Sequence, residues 1–317
     1  MKKTKVAVVA VGGNALIRNP GENALEQQYE AVKATAENVV DLIAAGWRVV
    51  VTHGNGPQVG FILRRSEIAK DAVPAVPLEY AVGDTQGAIG FMFQNALNNA
   101  LTLRGLDSVS AVALVTQTLI DPNDTAFSHP DKPIGDYMTL ETAETLAAAQ
   151  GWNIAEDSGR GWRRVVASPA PKEVIETPVI RTLLEQNVLV IACGGGGIPV
   201  WRDTSGKLIA AQAVIDKDRA SALLACELQA DMLLIPTGVE QVAINFGTPE
   251  QRWLDTLTLD EAQAMLQSGQ FGAGSMAPKV EAMLTFLRCN PAGVGLITNP
   301  ETIVRAIDGN GGTRFTG

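Results

Sequence analysis

The sequence predicts an α/β protein built on a doubly wound, mainly parallel central sheet, with a lid-like segment protruding from it. Three observations carry this expectation. Short apolar runs rich in β-branched residues alternate with stretches of helical periodicity along the whole chain. The first run, Val6–Val11, is apolar at every position, as a strand covered on both faces should be. Three of the runs end in glycine-rich turns, where open α/β sheets pass from strand to helix and bind ligands.

Taken in order, Lys2-Lys3-Thr4-Lys5 followed by Val6–Val11 imitates a secretory leader. Six apolar residues broken by Gly12-Gly13 are too few for one, so the run reads as a first strand. Val32, Ala36, Val39, Val40 and Ile43 then fall on one helix face. Val49–Thr52 reads as a second strand, ending at His53-Gly54-Asn55-Gly56-Pro57. Further strands are expected at Ser108–Val115, Val188–Cys193, Met232–Ile235 and Val294–Ile297. Helices are expected near Gly87–Arg104, Glu173–Gln186, Asp218–Leu228, Leu259–Leu266 and Met276–Arg288, the fourth opened by a Thr258–Glu261 capping box. Residues 121–171 break the rhythm with five prolines, polar clusters and one short helical pattern near Leu140–Ala149, which suggests a protruding subdomain or lid. A boundary near Pro199 gives two lobes, 1–198 with that lid and 199–317, able to share one sheet.

With 317 residues, 46% of them hydrophobic, the chain can bury a large core. A net charge of −9 leaves no broad basic surface for nucleic acid or an acidic membrane. No apolar stretch reaches the roughly 18–20 residues that span a bilayer. Three cysteines without a Cys-x-x-Cys pair argue against a disulfide framework and against a cysteine zinc site. A cytoplasmic protein is expected. The tryptophans, and Phe91, Met92 and Phe93, read as packing residues.

The glycine turns are Gly12-Gly13-Asn14, Gly54-Asn55-Gly56 and Gly194-Gly195-Gly196-Gly197. Each alone could be only a tight turn, but three together favour backbone N–H cradles for phosphate or carboxylate. None is a dinucleotide fingerprint: Val59 and Pro199 stand where a third glycine belongs. Ahead of Gly206-Lys207, Trp201 takes the place of the first glycine of a Walker loop. Lys217 and Lys279 fall at helix starts, where a cation opposes the macrodipole by a few tenths to about 1 kcal/mol. A solvated first-turn lysine, a lysine neutralised by Asp216 and Asp218, or a phosphate ligand would each suit such a place. Lys132, on the lid, reads equally as a surface lysine or as a substrate contact carried by a stiff loop. With only His53 and His129, no histidine metal set is possible, and His53 reads as a structural hydrogen-bonder rather than a general base.

Eight blocks, in order, resemble the carbamate kinases of the amino-acid kinase superfamily: Val9–Leu16, Thr52–Gly60, Gln86–Met92, Lys132–Gly135, Ala192–Val200, Ala213–Ala220, Asn245–Gly247 with Pro249, and Gly274–Ala282. The resemblance implies a three-layer αβα sandwich with a protruding subdomain, usually a homodimer. It implies reversible phosphoryl transfer between ATP and carbamate, giving ADP and carbamoyl phosphate with Mg²⁺, usually run toward ATP in nitrogen catabolism. By position it places Gly12, Gly13, Asn14, Gly54, Asn55, Gly56, Gly195 and Gly196 around the acid substrate and the migrating phosphoryl group. It places Lys132 on the substrate from the lid, Lys217 and Lys279 on the phosphates, Asp218 as organiser of lysines and metal, and Thr237, Val242 and Met276 near the nucleotide. No residue is expected as a direct metal ligand. The chain departs from the typical pattern at Asp136-Tyr137-Met138, at Gly83-Asp84-Thr85 and at Gly238-Val239-Glu240. Another small carboxylate as acceptor, or a non-catalytic nucleotide or carbamoyl-phosphate sensor, are the alternatives these departures raise.

Overall fold

The computed structural model describes residues 4–12, 25–157, 159–272 and 275–317. Strand β1 (Val6–Val11) is apolar because water reaches neither face. Val8 and Ala10 enter one core while Ala7, Val9 and Val11 enter another, as the two-residue period of a strand requires. There follow α1 (Leu25–Ala44), β2 (Arg48–His53), α2 (Gly56–Ala69), α3 (Leu78–Leu103) and β3 (Ser110–Ala113). Next come β4 (Gln117–Leu119), β5 (Lys132–Met138), α4 (Leu140–Gln150), β6 (Asn153–Glu156), β7 (Trp162–Val166) and β8 (Glu173–Val174). The chain continues through α5 (Thr177–Glu185), β9 (Val188–Ala192), β10 (Ile198–Arg202), β11 (Leu208–Ala210), α6 (Lys217–Leu228) and β12 (Met232–Pro236). It closes with β13 (Val242–Ile244), β14 (Arg252–Leu254), β15 (Thr256–Thr258), α7 (Leu259–Gln267), α8 (Ala277–Cys289), β16 (Val294–Thr298), α9 (Ile303–Ile307) and β17 (Thr313–Thr316).

The main sheet has the order β15-β17-β16-β12-β1-β2-β9-β3 and is parallel except where β17 meets β16. Helices α1, α3 and α9 cover one face, and α5, α6, α7 and α8 the other, giving the three-layer sandwich. Strands from residues 1–198 form one half of this single sheet, and those from 199–317 form the other. Within 121–171, β5, β7 and β6 make a separate antiparallel sheet carrying α4.

Most expected elements appear within a few residues of their bounds, and the Thr258–Glu261 capping box is present. Helix α3 starts earlier than expected, at Leu78, because Leu78, Ala81, Val82 and Thr85 bury a helical face ahead of Gly87. Phe91 is 66% exposed, on the outer side of that helix, and Trp253 is 46% exposed, edge-on to Phe246, so neither is a core residue. The cysteine expectation is also overturned. Cys226 in α6 and Cys289 in α8 form a disulfide with Cα atoms 5.9 Å apart. Packing of two helices brings together cysteines 63 residues apart, which no local spacing records, and the odd residue, Cys193, is buried and free.

Candidate active site

A cleft of about 840 Å³ opens at the carboxyl ends of β1, β2 and β12. Chain order reverses there, since β1 has β2 on one side and β12 on the other, which is where open α/β sheets bind ligands. Gly12 follows β1, Gly54, Asn55 and Gly56 follow β2, Pro236, Thr237 and Gly238 come from β12 and the turn after it, and all line the cleft. From α6 and α8 come Lys217, Asp218, Pro278 and Lys279, and from the lid Lys132, Pro133 and Ile134.

The glycine run after β9 is fixed by its backbone. Gly195, Gly196 and Gly197 all have positive φ, a region that side chains with a Cβ rarely enter. Gln86 Nε2 donates to the carbonyls of Thr116 and Gly194, and Gln86 Oε1 accepts from the Thr116 N–H, so α3 clamps the loop. A Cβ on Gly195 would lie 2.2 Å from Asn55 Nδ2, so the two expected cradles touch. Asn55 in turn donates to Thr85 Oγ1 at 3.0 Å, giving the departure at residue 85 a supporting part beneath the site.

The first turns of α6 and α8 meet at one carboxylate. Asp218, 5% exposed, lies with Oδ1 2.6 Å from Lys217 Nζ and Oδ2 3.4 Å from Lys279 Nζ. Lys217 also donates to the Ala10 carbonyl at 2.9 Å, and Lys279 to that of Ser275 at 3.1 Å. Burial pulls the Lys217 ammonium below its ordinary range, opposed by Asp218 and assisted by Lys279. Asp216 caps α6, accepting from the N–H groups of Asp218 and Arg219. Its other oxygen takes Lys132 Nζ at 2.6 Å, across 84 residues of sequence. Burial pushes the Asp216 carboxyl toward protonation, but Lys132, the Arg219 N–H and Lys217 together hold it well below the usual carboxylate range. Three ammonium groups against two carboxylates leave this cluster one positive charge in excess, beside two helix N-termini: an anion site.

His53 is 1% exposed, stacked on Phe93 and donating from Nδ1 to the Gly54 carbonyl at 3.0 Å. Burial first, then the Lys217 charge, lower its pKa to about 4 against the carbonyl's pull, so at neutral pH it is an uncharged structural donor. That agrees with its reading from sequence.

The cleft therefore gathers Gly12, Gly54, Asn55, Gly56, Lys132, Gly195, Lys217, Asp218, Thr237 and Lys279. Gly13, Asn14 and Gly274 lie outside the described residues. Three expected residues do not line the cleft. Gly196 passes against Ile215, where a Cβ would sit 2.6 Å from its carbonyl oxygen, and its own carbonyl accepts from Thr118. Val242 is wholly buried in β13, and Met276 packs at the start of α8 against the core. Lys132 opens a strand, not a loop, and Asp136 to Met138 face a second cavity rather than this one. Sequence reasoning had Asp216 only as a neutraliser of Lys217. Its place one residue before a helix was the usable signal for a cap, but its bond to the lid was not legible. Thr35 and Asn38 of α1, and Asn299 to Glu301, also border the cleft and sit in no motif.

The chain matches the amino acid kinase family model over residues 5–292. It is 47% identical over 314 residues to the carbamate kinase-like protein YahI of Escherichia coli (strain K12), covering 98% of each chain. It is 44% identical over 313 residues to the carbamate kinase of Thermococcus kodakarensis, again covering 98% of each. A carbamate kinase from Giardia lamblia bound to AMP-PNP superposes with a TM-score of 0.90 at 40% identity, over 100% of this chain and 99% of that one. Family model, full-length relatives and shared architecture agree: this chain belongs to the amino acid kinase family and, within it, to the carbamate kinase group.

Proposed function

We propose that the protein catalyses reversible phosphoryl transfer between ATP and carbamate, run in the cell toward ATP from ADP and carbamoyl phosphate. The observation that carries this is Asp218 buried between Lys217 and Lys279, at two helix starts facing the glycine turns of β1 and β2. Phosphoryl transfer asks a protein chiefly for in-line positioning and neutralisation of the oxygens of the moving group. Lys217 and Lys279 supply the charge, Asp218 keeps them apart and oriented, and the N–H groups around Gly12, Gly54 to Gly56 and Gly195 hold the acid substrate. Carbamate is already an anion, so no base need take its proton, in keeping with a neutral, buried His53. Thr237 and its neighbours border the nucleotide side, in the half of the sheet built from residues 199–317. The half from residues 1–198 carries the acid substrate and the face through which two copies pair as a homodimer. Lys132 reaches the acid substrate from the lid. A cytoplasmic enzyme fits this chemistry, and no described helix is long and apolar enough to cross a membrane.

Mg²⁺, if bound with the nucleotide, would offset part of the charge of its phosphates. Among the described residues no group of three or more histidine, cysteine, aspartate or glutamate side chains could cage it. Asp216 is paired with Lys132, whereas Asp218 lines the cleft between Lys217 and Lys279 and is the residue that would orient the ion together with the lysines. The test is ATP formation by purified protein given ADP, Mg²⁺ and carbamoyl phosphate. Rapid turnover with that donor, and none with acetyl phosphate, is expected. Equal use of both would remove carbamate from the assignment, and no ATP from either would remove the kinase.

A further inference from the structure

A second cavity, of about 430 Å³, lies between α2 and the lid, outside the cleft. That is room for a small organic molecule. Leu63, Val76, Met138, Leu146 and Trp152 give it apolar walls. Its charges are unevenly satisfied. Glu67 Oε1 accepts from Lys70 at 2.6 Å and from Gln150 at 2.7 Å, so that carboxylate is taken up by α2 and α4. Arg164 is half-buried, its guanidinium 5.0 Å from the centre of the Trp152 ring, and among the described residues it donates no side-chain hydrogen bond. Burial lowers its pKa, with only the more distant Glu67 charge opposing. A half-buried guanidinium on an aromatic wall, with its donors unused, suits a carboxylate whose body fills the apolar space. Asp136 at the rim is exposed and faces solvent as well as the cavity.

The cavity shares both its main elements with the cleft. Lys132 to Ile134 of β5 line the cleft, and Ile134 to Met138 line the second cavity. Gly56 and Val59 of α2 border the cleft, and Gly60, Leu63 and Glu67 the cavity. Between them lid and helix meet backbone to backbone, since a Cβ on Gly60 would lie 2.3 Å from Gly135 Cα. Ile134 lines both spaces, two residues from Lys132, so the strand that walls the cavity also carries the lid lysine.

We propose that this cavity is a second ligand site, which takes a small organic monocarboxylate with an aromatic or branched apolar body and adjusts the lid lysine through β5. The binding half stands independently of the proposed function, while the coupling half rests on it. The probe is phenylacetate, titrated calorimetrically into the full chain with carbamoyl phosphate saturating and nucleotide left out, so that no turnover occurs. Binding is expected to persist, to weaken at least about tenfold for neutral phenylacetamide, and to weaken as much in Arg164→Gln. Leu146→Trp, which fills the cavity and leaves Arg164 in place, should abolish it, and thermal melts confirm that each variant is folded. In the ATP-forming assay, saturating phenylacetate should shift KM for carbamoyl phosphate at least about threefold and leave KM for ADP unchanged. Displacement by carbamoyl phosphate, equal binding of acid and amide, or full binding by folded Leu146→Trp would overturn the site. Binding with an unmoved KM, in protein that makes ATP, would overturn the coupling.

Discussion

The cleft holds its cations by two different means. Lys217 and Lys279 share a buried carboxylate and stand at the starts of α6 and α8, helices packed into the main core and joined by the Cys226–Cys289 disulfide. Helix α8 buries seven side chains, whereas α4 of the lid buries only Ala143. Lys132 opens β5 of the lid, whose Ile134 packs against α2 and α3, and its own ammonium is tied to the site by one ion pair, to Asp216. On the proposed function, the charges that meet the moving phosphoryl group thus stand on helices packed into the main core. The charge that would meet the small acid stands on the lid, whose helix α4 buries a single side chain.

Replacing Lys217 tests the rigid side and should have the largest effect. Lys217→Ala is expected to lower kcat for ATP formation by at least about a hundredfold, or roughly 2.7–4 kcal/mol, as for loss of one preorganised oxyanion donor. KM should change little, because the interaction lost belongs to the transition state. A kcat within tenfold of the parent would mean that the phosphoryl group is neutralised elsewhere.

Stability against pH probes the same rigid region through His53. Its folded pKa of about 4 lies below the ordinary 6.5, so its contribution is complete above pH 6.5 and is lost as pH falls toward 4. At 1.36 kcal/mol per unit the loss approaches about 3 kcal/mol. His53→Gln keeps a donor for the Gly54 carbonyl and cannot gain a charge. Chemical denaturation of parent and variant should therefore give stabilities whose difference changes between pH 6.5 and 4 and is flat above. A constant difference across that window would place the ring in water and the β2 end among the yielding parts.

Much of the fold could be read from sequence because the main strands are apolar on both faces and their helices carry clear periodicity. The site was legible where chemistry is local. Glycines forced to positive φ, and lysines at helix starts, leave marks in a few consecutive residues. Contacts made by packing leave none. Lys132 meets Asp216 only after the lid folds over α6, and Cys226 meets Cys289 only because α6 and α8 lie side by side. Met276 fell inside the last matching block and Val242 just ahead of another, yet Val242 is wholly buried in β13 and Met276, half-buried, packs against the core. Motif membership fixes a residue's neighbourhood but not the direction it faces.

Lys132 sharpens the contrast with the smallest expected effect. The Lys132 side chain is about one-third exposed, but its partner Asp216 is largely buried, so removing the lysine leaves a buried carboxylate unpaired and costs more than breaking a surface ion pair would. Against a small anionic substrate, one charge-assisted hydrogen bond from the lid is worth about 1.4 kcal/mol, or tenfold. On the proposed function Lys132 binds ground and transition states alike, so Lys132→Ala should raise KM for carbamoyl phosphate about tenfold and alter kcat by less than about fivefold. Asp216→Asn frees the same lysine without removing it and should leave that KM within about threefold of the parent. If Lys132→Ala instead lowers kcat as far as Lys217→Ala does, the lid cation also acts on the migrating group. The division between a rigid phosphate side and a yielding acid side would then give way to three lysines working as one set.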